Sequence, residues 1–304
     1  MDLTESLLAF ADEIGAEGPV CAVGGRTQWE VGGLPTPGTR EVRAPAGIVS
    51  YQPEEMIVRC GAGTTVAEVD DALAGRGQMT PLDPAHPTQA TVGGVLAVGR
   101  SGLRRLRWGP VRDLVLEARY VSAEGRLVKA GAPVVKNVTG FDLCRLLVGS
   151  LGTLGLIGEV VLRVLPRPAT AQWLAGAGDP TAVLASLYRP SSVLWDGHTV
   201  WVLLEGHPAD VAAQAGVLGA RFEPVDHPPV LPTGGRRSLP PGEVTGLAGS
   251  PGPWIAEVGV GVVHTAAPSP VPSSSPPGVG HDMDRKVKER FDPTGRLNPG
   301  RAWA

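Results

Sequence analysis

Residues 149–160, GSLGTLGLIGEV, place a glycine-rich turn directly before a long apolar run. Four of these twelve residues are glycine, and the apolar run continues to the proline-rich triplet at 166–168. Because glycine has no Cβ atom, its backbone can come unusually close to another group. A turn of this kind that leads into a buried strand predicts a fold in which the backbone packs closely against something that the protein encloses.

Further glycine stretches lie at the ends of predicted strands, and none of them matches a standard phosphate-binding motif. These stretches are VGGRTQWEVGG (23–33), CGAGTT (60–65), TVGG (91–94) and GRSG (99–102). The segment GAGTTVAEV lacks the third glycine of a Rossmann fingerprint, and the chain contains no Gly-Lys pair, which a P-loop requires. Several separate loops with close backbone approach instead suit a long ligand that is held along its length.

Composition and charge exclude several classes of protein. The 304 residues suffice for one large or two small domains with a buried core, and the net charge of −3 gives no overall attraction to nucleic acid or anionic membranes. Three cysteines without a CxxC pair argue against a disulfide framework, a zinc site and a cysteine-ligated iron–sulfur cluster. The acidic N-terminal segment is unlike a signal peptide, and no apolar run reaches the roughly 20 residues of a membrane span. We therefore expect a cytoplasmic protein without a metal site.

The chain divides into four parts. Residues 1–168 alternate apolar runs with glycine-rich turns, whereas 169–265 show the order β-α-β-β-α-β, with one late strand, that is typical of a small ferredoxin-like domain. Residues 266–280 hold five prolines and four serines, a composition typical of an extended linker. Residues 281–304 resume a folded pattern, with a short helix predicted to end at Phe291 and two X-Pro turns after it.

Three long segments and the C-terminal tail together resemble one flavoprotein family. The segments are residues 51–84, 90–121 and 134–168, and the tail is FDPTGRLNPGR at 291–301. In order and spacing they are similar to the FAD-binding domain of the vanillyl-alcohol-oxidase or PCMH type, and within it to the FAD-binding subunits of bacterial glycolate oxidases. The resemblance implies an α+β fold: a PCMH-type FAD-binding domain over 1–168, with two subdomains that meet near residue 50, and a small ferredoxin-like α+β middle domain over 169–265. Residues 281–304 would dock on the FAD-binding domain.

The resemblance also implies which residues contact FAD. The residues that match the family's FAD-binding positions are Gly24, Gly25, Arg26, Thr27, Leu82, Asp83, Thr91, Gly93, Gly94, Ser101, Gly102, Gly152, Gly155 and Ile157. In this family the cofactor lies extended between the two subdomains, with its pyrophosphate on glycine-rich loops and its AMP half against the turn that matches residues 152–157. Many relatives attach FAD through a histidine in the first loop. Because residues 23–33 contain no histidine, we expect non-covalent FAD.

Some residues keep more than one interpretation. Lys136 and Asn137 either line the flavin or cap the following helix. The arginines between positions 100 and 112, with Trp108 among them, form either a solvated face or a docking surface for a partner.

The catalytic residues are not assigned. His264 and His281 each stand alone in the sequence, and a lone histidine is more often structural than catalytic. The two late histidine motifs of the larger catalytic relatives are missing from this chain.

Two classes of function remain open. The first is the FAD-binding subunit of a complex that oxidises a 2-hydroxy acid such as glycolate, with a larger FAD-linked subunit and an iron–sulfur subunit as partners. The second is a stand-alone FAD-dependent 2-hydroxy-acid oxidoreductase, and a weaker third is a flavin reductase of the cell-wall-precursor type. A complex would lie in the cytoplasm, with peripheral attachment to the inner membrane through its partners left open.

Overall fold

A computed structural model describes residues 3–133, 142–268 and 279–301, and within these ranges it describes every side chain except those of residues 3 and 279–281. Lys136, Asn137, the His281 side chain and most of the predicted linker lie outside what is described. The α-helices are α1 (Leu3–Ile14), α2 (Val66–Ala74), α3 (Val92–Val98), α4 (Arg105–Trp108), α5 (Leu143–Leu147), α6 (Pro180–Ser186), α7 (Pro208–Leu218) and α8 (Val279–Phe291). Short 3-10 helices lie at Val111–Leu114, Gly219–Arg221 and Pro241–Leu247.

The β-strands follow the same numbering along the chain. They are β1 (Val20–Ala22), β2 (Arg40–Val42), β3 (Ile48–Gln52), β4 (Ile57–Gly61), β5 (Gln78–Met79), β6 (Val115–Val121), β7 (Leu127–Gly131), β8 (Leu156–Arg163), β9 (Leu165–Pro166), β10 (Thr170–Gly176), β11 (Ser192–Trp195), β12 (Val200–Gly206), β13 (Phe222–Val225), β14 (Gly235–Ser238), β15 (Trp254–Glu257) and β16 (Val262–Thr265). Among the described helices, none combines the length and apolar character that crossing a bilayer requires.

The described residues form two compact units. The first unit contains the residues up to Gly102, Pro110–Arg167 and the C-terminal segment from residue 279. The second contains Leu103–Gly109 and the residues from Pro168 to 268.

The first unit is built on an antiparallel five-stranded sheet with the strand order β3-β4-β8-β6-β7. Its middle strand β8 is buried from Leu156 to Leu162. Helices α2, α3 and α5 contribute Val69, Leu96 and Leu147 to an apolar core that also contains Val160 of β8. This core supports the ends of β4 and β8, where two of the predicted glycine turns lie.

Side-chain caps begin the helices that follow these turns. Thr65 accepts a hydrogen bond from the N–H of Glu68, whose carboxylate accepts from the N–H of Thr65, so α2 begins with a capping box. Thr91 accepts in the same way from the N–H of Gly94 at the start of α3. Asp142, whose residue type predicts a helix start, caps α5.

Buried polar contacts fix the C-terminal segment to the first unit. Asp292 is 2% exposed and accepts hydrogen bonds from the N–H groups of Arg296 and Leu297. Arg296 donates to backbone carbonyl oxygens of Ile14, Gly15, Glu17, Gly18 and Ala123. A buried guanidinium is tolerated only where its donors are satisfied, so these contacts specify where the segment lies.

The second unit is built on an antiparallel seven-stranded sheet with the order β13-β10-β12-β11-β15-β16-β14. The predicted β-α-β-β-α-β order is present as β10-α6-β11-β12-α7-β13, and the α+β fold class is confirmed. The prediction of one late strand is wrong, because residues 254–265 form the hairpin β15-β16. Gly259 and Gly261 both have φ of +80°, a conformation that favours glycine and lets the chain reverse between the two strands.

Residues 103–109 belong to the second unit although they lie within the sequence range 1–168. Nε of Arg104 lies 3.0 Å from Oε1 of the buried Glu205, and Arg107 donates to the Glu205 carbonyl. Leu106 packs against the apolar core of that unit. Arg104 therefore has a structural partner within its own unit.

Candidate functional site

The first unit contains a cleft with an empty volume of about 490 Å³, part of which is open to solvent. Its walls consist of backbone and mostly small side chains, from Ala22, Val23, Gly24, Ala44, Ala62, Gly63, Thr91, Gly93, Gly94, Ala97, Leu151, Gly152, Gly155, Leu156 and Ile157. The predicted FAD-contacting residues that the structure brings together here are Gly24, Thr91, Gly93, Gly94, Gly152, Gly155 and Ile157.

Backbone hydrogen bonds join the segments that form these walls. The N–H of Leu151 donates to the carbonyl of Ala97, at 2.8 Å, and so attaches the turn before β8 to the end of α3. The N–H of Gly93 donates to the carbonyl of Ala62, also at 2.8 Å, and so attaches the start of α3 to the end of β4. Chain segments far apart in sequence therefore form one continuous wall.

Several cleft glycines are required by neighbouring protein groups. A Cβ atom at Gly24 would lie 2.2 Å from Oγ1 of Thr91, and one at Gly155 would lie 2.4 Å from Cδ2 of Tyr120. A Cβ atom at Gly93 would lie 2.7 Å from Cβ of Ala62. These glycines let the protein segments touch one another, which differs from the expected reason, room for a ligand.

Gly94 and Gly152 have more open surroundings. Near Gly94, only Oγ1 of Thr91 lies within 4 Å of a Cβ atom, at 3.0 Å. At Gly152 the nearest atom to a Cβ would be Cδ2 of Leu156, at 3.3 Å, but the φ of +75° favours glycine. A Cβ atom at Gly94, which itself lines the cleft, would therefore require only the Thr91 hydroxyl to shift by a few tenths of an ångström.

The loop after β1 presents a run of backbone N–H groups without acceptors. Among the described residues, no hydrogen bond uses the N–H groups of residues 24–28. Arg26 has φ of +57°, and a left-handed residue in such a run makes successive N–H groups converge on an anion. The N–H groups of Val92 and Gly93 at the start of α3 are instead bonded to backbone carbonyls. The first loop is the stronger candidate for binding a phosphate.

The other predicted site residues do not line the cleft. They are Gly25, Arg26, Thr27, Leu82, Asp83, Ser101 and Gly102. The Leu82 side chain is fully buried in the apolar core, so only its backbone can meet a ligand. Ser101 accepts a hydrogen bond from the N–H of Val111 at 3.1 Å, and a Cβ atom at Gly102 would lie 2.2 Å from the carbonyl oxygen of Asp83. In this structure Ser101 and Gly102 serve packing between loops.

The C-terminal segment reaches the first loop, a contact that sequence reasoning missed. The guanidinium carbons of Arg26 and Arg301 lie 4.9 Å and 4.3 Å from the ring centre of Trp29. Arg301 also donates to the carbonyl of Val31 at 2.8 Å, and Arg26 pairs with Glu41. Two arginines therefore stack on one indole of the first loop, and one of them is paired with a carboxylate.

The thiols are poorly suited to attach a cofactor. Cys21, Cys60 and Cys144 are free and buried. Burial raises the pKa of Cys60 to about 12 and is the main cause that raises the pKa of Cys144 to about 11. Because the thiolate is the nucleophilic form, these groups are unreactive at neutral pH.

A buried ion-pair network lies on the five-stranded sheet, outside the cleft walls. Arg59 donates to Glu117 at 2.9 Å and to Glu159 at 2.6 Å, and Nζ of Lys129 lies 3.0 Å from Glu117. Burial alone would raise the pKa of Glu117, but hydrogen bonds from Lys129 and Arg59 hold it below its usual value. Lys129 and Arg59 therefore favour the ionised form of Glu117 in the folded protein.

The second unit pairs a histidine with a carboxylate. Nε2 of His264 lies 2.8 Å from Oε1 of Glu257, a contact within the sheet that the isolated position of His264 in the sequence does not indicate. In the hairpin register His264 faces Ile255, and Glu257 is its diagonal neighbour. Recognition of this hairpin in the sequence would have placed the two residues together.

The cleft and the first loop, which joins it at Gly24, offer two different surfaces. The unbonded N–H groups of residues 24–28 in the loop suit a phosphate, and the cleft walls of alanine, glycine and leucine suit a flat apolar ring system.

Known proteins resemble this chain both around the cleft and beyond it. Residues 5–131 match the family model of the FAD binding domain. The chain is 34% identical over 227 residues to glycolate oxidase subunit GlcE of Escherichia coli, across 72% of this chain and 65% of that protein. It is 36% identical over 163 residues to a D-lactate dehydrogenase of Archaeoglobus fulgidus, across 53% of this chain and 36% of that protein. The chain thus spans less than two thirds of the length of these curated relatives.

Solved structures share the fold. One structure of alkyldihydroxyacetonephosphate synthase superposes with a TM-score of 0.67 at 14% identity, over 98% of this chain and 74% of that chain. Another structure with that name gives a TM-score of 0.56 at 17% identity, over 71% of this chain and 48% of that chain. At such low identity the likeness concerns the fold alone.

Proposed function

We propose that this chain, whose residues 5–131 belong to the FAD binding domain family, is the FAD-binding subunit of a complex that oxidises a 2-hydroxy acid such as glycolate. The observation that carries the proposal is the 34% identity, over 227 residues, to a protein named as a subunit of glycolate oxidase. That alignment is longer than the stretch 5–131, so the likeness extends beyond the cofactor domain.

In this proposal FAD lies non-covalently in the cleft of the first unit. The N–H groups of residues 24–28 bind the pyrophosphate, and Arg26 and Arg301 add positive charge beside it. The start of α3 at 91–94 forms the middle of the site, and residues 152–157 meet the adenosine half. The bound FAD supplies a two-electron acceptor. The chain itself contributes binding, orientation and an apolar wall that limits access of water.

The proposed partners are a larger FAD-linked subunit and an iron–sulfur subunit. An iron–sulfur cluster usually takes about four thiolate ligands. Cys21, Cys60 and Cys144 are three and lie far apart in sequence, so we place the cluster that receives the electrons on another chain. We place the complex in the cytoplasm, with any contact to the inner membrane made through the partners.

Steady-state turnover tests this assignment. The purified FAD-loaded chain should show negligible oxidation of glycolate with an artificial electron acceptor. Addition of the two partner subunits should restore turnover. Rates near the roughly 10 s⁻¹ typical of enzymes, from the chain alone, would contradict the assignment.

A stand-alone 2-hydroxy-acid oxidoreductase is the second candidate. It is favoured by the 36% identity over 163 residues to a protein named as a D-lactate dehydrogenase. Under this alternative the isolated chain oxidises D-lactate or glycolate at a rate that partner subunits do not change.

A further inference from the structure

Two side chains of the C-terminal segment hold the glycine turn at 149–155. Nδ2 of Asn298 donates to the carbonyl of Leu151, and Nζ of Lys288 donates to the carbonyl of Thr153 at 2.8 Å. Leu151 and Gly152 form part of the cleft wall, whereas neither Asn298 nor Lys288 does. The two side chains therefore act on the backbone of the wall.

These contacts orient the peptide planes of the turn. In a trans peptide, a carbonyl and the N–H of the next residue point in opposite directions. Because the carbonyls of Leu151 and Thr153 point to the C-terminal segment, the N–H groups of Gly152 and Leu154 point away from it. Within the described part of the chain, no acceptor takes either N–H group. Leu154 is fully buried and does not line the cleft. The N–H of Gly152, at the cleft wall, is thus the donor that the turn leaves available to a ligand.

The turn needs external support to keep this shape. Leu151 and Gly152 have successive positive φ values of +54° and +75°, and a leucine rarely adopts that conformation. The supporting residues are themselves fixed. Lys288 forms an ion pair with Asp292, and the N–H of Asn298 donates to the carbonyl of Val20 at 2.7 Å.

We propose that Lys288 and Asn298 are positioning residues that hold the turn so that the N–H of Gly152 faces an acceptor atom in the adenosine half of FAD. Their side chains contact the turn, and the backbone of the turn contacts the ligand. This inference rests on the placement of FAD in the cleft under the proposed function. It assigns the C-terminal segment a role in cofactor affinity as well as in folding.

The test measures the affinity of the full-length apoprotein for FAD and for ADP, by flavin fluorescence and calorimetry. Asn298→Asp keeps the side-chain size and tolerates the φ of +45°, but it replaces the donating amide with an acceptor that faces the Leu151 carbonyl. We expect the Kd of both ligands to rise about tenfold or more. The loss of one hydrogen bond between the turn and the ligand changes a dissociation constant by about this factor. Lys288→Met is the second variant. Lys286→Met, on the exposed face of the same helix, is the matched control.

Circular dichroism and hydrogen exchange separate positioning from folding. The inference is supported if both variants bind FAD and ADP more weakly at a temperature where each is fully folded. Faster amide exchange should then be confined to the turn. A loss that follows the unfolded fraction, or that equals the loss in Lys286→Met, overturns the inference. If Asn298→Asp binds normally while Gly94→Ala does not, the positioning role is wrong and the cleft placement stands. If both bind normally, the cleft placement is wrong as well.

Discussion

Two neighbouring glycines of α3 should lose different amounts of stability when the same methyl group is added. In Gly93→Ala the new Cβ would lie 2.7 Å from Cβ and 3.0 Å from the carbonyl oxygen of Ala62. Overpacking of this kind costs about 1–3 kcal/mol, so the free energy of unfolding should fall by that amount. In Gly94→Ala the methyl meets only Oγ1 of Thr91, at 3.0 Å. Because alanine is favoured over glycine in a helix by about 0.5–1 kcal/mol, the free energy of unfolding should stay within about 1 kcal/mol of the wild type.

Cofactor binding should distinguish the pair further. The methyl of Gly94→Ala projects beside the wall of the cleft that we assign to FAD. If FAD must shift to avoid it, the same overpacking range of about 1–3 kcal/mol applies to binding, which corresponds to a roughly 5- to 150-fold rise in Kd. Denaturant unfolding of the apoprotein measures stability, and flavin fluorescence titration measures Kd.

Gly94→Ala with wild-type affinity for FAD would refute the placement of the cofactor at the start of α3. Equal losses of stability in the two variants would refute the packing argument, since only Gly93 has backbone atoms of another segment in the way.

Three further predictions address the cofactor, the sheet and the second unit. Acid precipitation should release intact FAD into the supernatant, because residues 23–33 contain no histidine; flavin in the pellet would contradict this. Glu117→Gln should lower the free energy of unfolding by about 1.5–3 kcal/mol at pH 7, since it removes the charged acceptor of the hydrogen bonds from Arg59 and Lys129. The pKa of Glu117 is lowered in the folded state, so its ionisation stabilises the protein above the unfolded-state pKa and stops doing so as the pH falls through the folded one. The difference between variant and wild type should therefore shrink below about pH 4 in unfolding titrations, and a pH-independent difference would contradict it. Arg104→Glu should lower the melting temperature, because it places a second carboxylate against the buried Glu205, whereas Arg105→Glu should not; equal melting temperatures would count against the ion pair.

Local sequence patterns were enough to predict several of the elements and their order in the core of the second unit. Thr65 and Glu68 form a capping box with the spacing that marks the start of α2, and the strand before it is a short apolar run. In the second unit, alternating strands and helices with short turns predicted the ferredoxin-like core, since each element there is specified by its own periodicity. The hairpin at 254–265 was missed because two short strands and two glycines read as one continuous apolar segment.

Contacts between distant segments could not be predicted in the same way. The glycine at position 155 is required because Tyr120 packs against it, and nothing in the sequence around either residue encodes that meeting. The hydrogen bond from Nδ2 of Asn298 to the carbonyl of Leu151 joins residues that are 147 positions apart. The cleft residues were predicted through family resemblance, and the structure brings seven of these positions together in the cleft walls and leaves the others outside them.

Reduction of the bound flavin by glycolate under anaerobic conditions tests the central claim most directly. We expect the flavin of the isolated FAD-loaded chain to keep its oxidised absorbance spectrum after glycolate is added. We expect it to become reduced once the larger flavoprotein subunit and the iron–sulfur subunit are present. Rapid bleaching of the isolated chain by glycolate would contradict the assignment as a subunit that works only within a complex.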